Sequence, residues 1–231
     1  MTPASTPWPV VELRQYTLHP GRRDDLVELF EREFVETQEA CGMRLFGQFR
    51  DLDDTDRFVW LRGFAGMDAR AAALGAFYGG PVWKAHRDAA NATMIDSDNV
   101  LLLRPLRADG GFALDGATRT PVDAPATRAR LVVALLWSVP RGDADVAARL
   151  ERDVAAWIAD ADAAPLASFV SEHAPNTFPA LPVRENEHVL ACFAAFDDDA
   201  HWRRHRDALA AIAPVPLQTL RLAATARSLL R

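Results

Sequence analysis

Three polar residues stand two apart in the stretch Val10–Gly21: Glu12, Arg14 and Tyr16. Side chains on a strand alternate, so these three share one face at ~7 Å steps, with Val11, Leu13, Gln15 and Thr17 on the other. The apolar set is suited to packing under helices, and the polar set to facing a ligand. An acid, a base and a phenol in a row can bind and polarise a small molecule. They can equally satisfy one another as a structural ion-pair cluster.

A second group lies in the stretch His173–Glu187, stiffened by Pro175, Pro179 and Pro182. Long ordered loops of this kind act as lids or walls of sites. His173 is placed to serve as a general base, and Asn176 or Arg184 to stabilise an oxyanion, with Phe178 and Glu185 alongside. The alternative is a loop packed at a dimer contact.

Two further pairs, Trp83/His86 and Trp202/His205, lie three apart and share a helix face, which suits packing a helix on a sheet with the imidazole at the rim. His201 and His205 have the i, i+4 spacing of a metal pair, but no third ligand stands near, so no metal is expected. Glycine-rich phosphate loops, a G-x-S-x-G elbow and H-E-x-x-H are all absent from the sequence.

The elements that must position these groups follow a repeated order. After the first strand, Pro20-Gly21 makes a turn, and Arg22–Cys41 reads as a helix with Leu26, Leu29, Phe30 and Phe34 on one stripe. Strands are expected at Met43–Arg50 and Arg57–Phe64, joined by the charged turn Asp51–Asp56. Met67–Ala92 reads as two helices split at Gly79-Gly80-Pro81, and Asn99–Leu106 as the fourth strand. Arg107–Arg128, rich in Gly, Pro, Ala, Thr and Asp, reads as a linker.

The order then recurs: strand Ala129–Val139, helix Asp143–Asp162, strands Leu166–His173 and His188–Phe196, helix Ala200–Ile212 and strand Leu217–Ala226. Asp197, Asp198 and Asp199 read as the cap of that last helix.

Each half is therefore β-α-β-β-α-β, the ferredoxin-like pattern. Trp83-Lys84-Ala85-His86-Arg87-Asp88-Ala89 matches Trp202-Arg203-Arg204-His205-Arg206-Asp207-Ala208 at a shift of roughly 120 residues, the mark of an internal duplication. The expected organisation is an N-terminal unit over 1–106, a linker over 107–128 and a C-terminal unit over 129–231. Two such units can close one barrel within the chain, and any exposed edge would favour a homodimer. At the same shift Glu12, Arg14 and Tyr16 face Val132, Ala134 and Leu136, so one copy is polar where the other is apolar. A lopsided pocket of that kind suits a small aromatic ligand.

Composition narrows the function classes. The chain has 231 residues, 49% hydrophobic and 25% charged, which supports a sizeable core. A net charge of −6 and a pI near 5.5 argue against sequence-independent nucleic-acid binding. Cys41 and Cys192 lack C-x-x-C spacing and read as free thiols. The opening stretch lacks a basic, apolar leader, and no apolar run is long enough to span a membrane, so a cytoplasmic protein is expected.

The first strand and turn (Val11, Glu12, Leu13, Arg14, Tyr16, Leu18, Pro20, Gly21), with Trp83 and the strand Asp96–Pro105, resemble the NIPSNAP family. The resemblance is good over the first half, and the second half is similar as a diverged copy. It implies an α+β fold, tandem ferredoxin-like repeats forming a dimeric-α/β-barrel-type structure. The antibiotic-biosynthesis monooxygenases share that fold. By analogy the chain is expected to bind a small molecule, as a cofactor-free monooxygenase-like or isomerase-like enzyme. His173, Arg14 and Tyr16 would form its catalytic set, and Glu12, Trp60, Arg62, Trp83, His86, Asn176, Phe178 and Arg184 its binding set. A haem held by His205 is the alternative that haem-bearing relatives of this barrel class imply. A non-catalytic interaction protein is the other reading, since animal NIPSNAP relatives act as adaptors. The third strand departs from the family, with Trp60 and Arg62 near positions where a His and a Trp are usual.

Overall fold

Alternating apolar residues with β-branched and aromatic side chains set the strands, and turn glycines end them. The computed structural model describes residues 7–114, 116–122, 124 and 129–231. Its strands are β1 (Val10–Leu18), β2 (Arg44–Asp51), β3 (Arg57–Phe64), β4 (Met94–Pro105), β5 (Leu131–Ser138), β6 (Ala164–Ser171), β7 (Val189–Phe196) and β8 (Gln218–Ala224). The helices are α1 (Arg23–Leu29), continued through a π-helical turn (Phe30–Phe34) into α2 (Val35–Ala40), then α3 (Met67–Gly79), α4 (Pro81–Asn91), α5 (Ala144–Asp160) and α6 (Asp199–Leu209). Asp143 and Asp198 cap α5 and α6 through the amides of Val146 and His201.

The eight strands close one barrel in the order β1-β3-β2-β8-β5-β7-β6-β4. Each half contributes four strands in the same internal order, β4-β1-β3-β2 and β8-β5-β7-β6. The fold is thus two ferredoxin-like repeats in one α/β barrel. Closure within one chain uses the sheet edges on which an expectation of dimerisation rested. The two seams are short. β2 meets β8 over Phe49–Asp51, and β4 meets β6 over Leu103–Pro105. Beyond the second seam β4 is met by the loop instead, where the amides of Glu172 and Arg184 donate to the carbonyls of Leu102 and Val100, each at 2.8 Å.

β4 starts earlier than its sequence suggests. Met94 and Asp96 pair with Leu18 and Thr17 of β1 through an irregular register, and the exposed Ile95 and Asp96 hide the strand pattern. The segment after β4 is not loose where it is described. Phe112 enters the barrel against Phe46, Phe169 and Phe193, with ring centroids 5.0–5.3 Å apart. Arg119 donates to Glu39 and to the Leu45 carbonyl. Residues 115, 123 and 125–128 of the expected linker lie outside the described residues.

Two corrections follow from closure. The barrel interior takes one face of every strand: Val11 and Leu13 lie there with Phe49, Leu61, Phe169 and Phe193. Gln15 joins Gln218 through two reciprocal amide bonds of 2.9 Å. The face expected to lie under helices is therefore the lumenal one. Glu12, Arg14 and Tyr16 lie beneath the helical layer, so both faces of β1 are buried. The register of the repeat also shifts. The turn glycines Gly21 (φ +75°) and Gly142 (φ +78°) are equivalent, which pairs Glu12, Arg14 and Tyr16 with Val133, Leu135 and Trp137. Val132, Ala134 and Leu136 are lumenal. A slip of one residue exchanges the faces of a strand.

Candidate functional site

Between the first-half sheet and its helices the core is split between charge and aromatic rings. Antiparallel pairing sets Glu12 opposite Arg62 and Arg14 opposite Trp60, all on the helix side. Arg70 descends from the first turn of α3. Glu12 Oε2 accepts from Arg14 Nη1 (2.9 Å) and Arg62 Nε (2.7 Å), and its Oε1 accepts from Arg70 Nε (2.6 Å). Arg14 Nε donates to the Tyr16 hydroxyl (3.0 Å), and Arg62 Nη1 donates to Gln38 Oε1 (2.8 Å). The Arg62 guanidinium also lies 4.8 Å from the Trp60 ring centre. None of the four charged side chains is more than 1% exposed.

Three guanidiniums against one carboxylate leave the cluster two positive charges in excess. Burial opposes ionisation of Glu12, but Arg62, Arg14 and Arg70 outweigh it and hold the carboxyl well below the usual range. Burial likewise opposes the charge on Arg14, yet Tyr16 and Glu12 raise its pKa. Burial lowers that of Arg70, with Glu12 working the other way. The Tyr16 phenol is raised by burial and stays protonated. Donor capacity is also in excess. Among the described residues, Arg62 Nη2, Arg70 Nη2, Trp60 Nε1 and both polar atoms of the Gln48 side-chain amide are buried without a partner. Gln48 lies directly opposite Trp60.

The loop from the second half roofs this cluster. Asn176 Oδ1 accepts from Arg70 Nη1 at 2.9 Å and from the Phe178 amide at 3.0 Å. Thr177 donates to the Met67 carbonyl at the start of α3 (3.0 Å). Phe178 stacks on Tyr78 (6.0 Å, 29°), and Tyr78 in turn meets Trp83 edge-on (4.8 Å).

The stem of the same loop lines a cavity of about 240 Å³ beside the β4–β6 seam. His173, His188, Arg141, Arg184 and Ser171 face it, with Leu102, which pairs across the sheet with Glu12. The His173 and His188 rings meet edge-on at 4.8 Å. His188 Nδ1 has no partner among the described residues. Burial, then His188 and Arg141, lower the pKa of His173, which favours its neutral, basic form. Arg184 is held by Asn99 (3.2 Å) and Glu187 (2.7 Å).

The structure thus divides the residues singled out in the sequence. Glu12, Arg14, Tyr16, Trp60, Arg62 and Asn176 converge, with Phe178 above them on Tyr78. His173 and Arg184 share the neighbouring cavity, with Glu185 on its wall. Trp83 packs on Phe34 and Phe77, and His86 reaches Glu33 (3.5 Å) at the rim. His205 lies half-buried on α6 against His201, whose Nε2 meets the Ala161 carbonyl, while Trp202 and Leu209 fill the space under that helix. Among the described residues no group of three or more His, Cys, Asp or Glu is arranged to hold a metal, and no helix is long and apolar enough to cross a membrane.

Sequence reading missed Arg70, Tyr78, Gln38, Arg141 and His188. One signal was available: Arg70, Ala73, Leu74 and Phe77 form the buried i, i+3, i+4, i+7 stripe of α3, so Arg70 occupies a core position.

The family model NIPSNAP matches residues 11–108. No curated protein matches the chain. Among solved structures, an anthrone oxidase-like protein superposes with a TM-score of 0.59 at 12% identity, covering 96% of this chain and 93% of its own. A putative monooxygenase from Lactobacillus acidophilus NCFM gives 0.57 at 12% identity, covering 94% of each chain. At such identity these two share the fold with this chain. A NIPSNAP family protein from Agrobacterium tumefaciens str. C58 is 21% identical over 42% of this chain and 86% of its own, with a TM-score of 0.39. The matched residues 11–108 carry the strand, turn and helices that build the charged cluster, so that part of the chain is similar to the NIPSNAP family.

Proposed function

We propose that the chain binds a small, aromatic-sized molecule beneath the loop 173–187 and, as an enzyme, removes a proton from it without a cofactor. One observation carries this reading. The cavity at the loop stem is lined by His173, whose pKa is lowered, by Arg141 and Arg184, and by the carboxylates of Glu172, Glu185 and Glu187. An imidazole of lowered pKa is unprotonated near neutrality and accepts a proton, while a guanidinium stabilises the carbanion or enolate left behind. That anion then reacts with oxygen, as a monooxygenase requires, or is reprotonated elsewhere, as an isomerase requires. The names of two fold neighbours, an anthrone oxidase-like protein and a putative monooxygenase, are compatible with this chemistry. Arg14 and Tyr16 support the reading from between the sheet and the helices, where Arg14 holds Glu12 and donates to the Tyr16 hydroxyl.

The test is an oxygen-uptake and proton-exchange screen over acidic hydroxyaromatic substrates with the wild type and His173→Ala. Turnover lost by roughly 10²–10⁴-fold in the variant fits a general base. Equal turnover in both removes His173 from the chemistry. One feature favours the second reading, a non-catalytic interaction protein: side chains, Phe112 among them, pack the barrel interior. Absence of turnover together with retained ligand binding would select it.

A further inference from the structure

The charged cluster has more guanidinium than its carboxylate can neutralise and more donors than its neighbours can accept from. Both surpluses fall on the arginines that hold Glu12. Arg62 and Arg70 each hold Glu12 through Nε, and each has a second terminal nitrogen without a partner. Trp60 Nε1 is equally open. Around them stand rings: Arg62 lies over Trp60, Phe64 and Tyr78, and Arg70 over Phe64. A buried cation without a counter-ion is costly, and an orphaned donor adds to the cost. A carboxylate answers both, because its two oxygens match the guanidinium fork and its charge offsets the excess.

The acceptor now on Arg70 comes from the roof. The side-chain amide oxygen of Asn176, together with Thr177, takes the Nη1 hydrogens of Arg70. This oxygen is neutral and belongs to a loop from the other half of the chain, 106 residues away. It stands where an anionic oxygen would be bound more strongly. We infer that the Arg62–Arg70–Trp60 face is a binding site for the carboxylate of a small aromatic acid, with Asn176 as the neutral stand-in that latches the loop until the acid displaces it. Leu102, on the wall of the cavity at the loop stem, pairs with Glu12 across the β1–β4 register, and the acid would enter from that side once the loop is released. The inference rests on the proposed function for where a ligand enters, and not for any reaction at His173.

The experiment is thermal unfolding of the whole chain with sodium benzoate, against benzamide, the neutral analogue, and sodium chloride at equal ionic strength. Ligand linkage near 100 Kd raises the midpoint of a chain this long by about 5–10 °C. Benzoate is expected to raise it in the wild type, and benzamide and chloride to leave it unmoved. In Asn176→Ala, where the competitor is gone, half-maximal effect should come at lower benzoate. In Asn176→Asp, where a carboxylate is built in, the shift should vanish. The shift is read without turnover, so failure of the catalytic reading leaves this result standing. No benzoate shift in either the wild type or Asn176→Ala overturns the inference, as ordered water on the same donors would predict. So does an equal shift from benzamide or chloride, or an undiminished shift in Asn176→Asp.

Discussion

The two halves of the barrel repeat one topology and fill the same layer with opposite chemistry. Under the helices of the first half lie Glu12, Arg14, Arg62 and Arg70 among aromatic rings. Under those of the second lie Leu131, Val133, Leu135 and Trp137 against Trp157, Phe196 and Trp202. Where Arg14 contacts Tyr16, the equivalent Leu135 and Trp137 simply pack, and the Trp137 indole finds the Pro214 carbonyl at 2.7 Å. The fold therefore does not require charge at this layer. An apolar filling suffices in one copy, so the ions in the other need another explanation. Four of the buried, unpartnered polar groups (Gln48, Trp60, Arg62 and Arg70) lie on the charged side, while the second half has two among its described residues, His188 beside the loop-stem cavity and Thr225.

The comparison breaks most visibly at Glu12. Its carboxylate is the common anchor of three arginines, and Glu12→Gln leaves three buried cations without a counter-charge. Removing one partner of a buried ion pair costs about 3–5 kcal/mol. Urea unfolding of the variant should show a loss of that size. A loss under about 1 kcal/mol, typical of an exposed pair, would mean that the cluster is solvated or already neutralised.

The same pair of proteins sharpens the point through pH. The folded-state pKa of Glu12 lies well below the ordinary carboxylate range. The unfolded chain therefore takes up the proton first as pH falls. The contribution of Glu12 is fully present above the unfolded pKa, about 4.3, and is lost progressively below it. Asp51 has the opposite sign, because burial raises its pKa, so its contribution is present at low pH and lost as pH rises through the raised value. Asp51 is unchanged in Glu12→Gln and cancels in the difference. Stability measured from pH 7 to 3 should fall more steeply in the wild type than in Glu12→Gln. Parallel curves would place the anchoring charge elsewhere.

A smaller effect belongs to the roof. Phe178 stacks on Tyr78 and is half-buried. Phe178→Ala should cost about 0.5–1.5 kcal/mol for the ring pair beyond its area. It should also speed amide exchange in the loop 173–187 while leaving α5 and α6 protected. Unchanged exchange in the loop would show that Asn176 and Thr177 hold the roof alone.

Much of this was legible in the sequence. Period-2 alternation placed β1, and a proline-glycine turn ended it. The Gly79-Gly80-Pro81 break split α3 from α4 where expected, and Asp198 capped α6. What misled was which face of β1 is inside. In an open sheet the apolar face seeks helices. In a closed barrel the lumen takes that face, and the helices cover the other. Arg70 was hidden because an arginine in an alanine-rich helix reads as solvated, although its spacing to Ala73, Leu74 and Phe77 is that of a core residue. The contact between Asn176 and Arg70 has no local signal at all, since only closure of the second seam brings the loop over α3.

The second half offers the complementary test, and its effect is the smallest. Cys192 is buried on β7, where its thiol accepts from Ser168 at 3.6 Å, and burial pushes its pKa up to about 12. A thiol that stays protonated is a poor nucleophile, even though Cys192 is on the lining of a recess of about 170 Å³. Cys41, at the end of α2, is only half-buried. Iodoacetamide at pH 8 should label one site in the native protein, Cys41, as read by peptide mass spectrometry, and both sites after unfolding in urea. Labelling of Cys192 in the native state would show that the second layer opens on the timescale of the reaction. The contrast would then lie in chemistry alone, and both layers would be open to ligands.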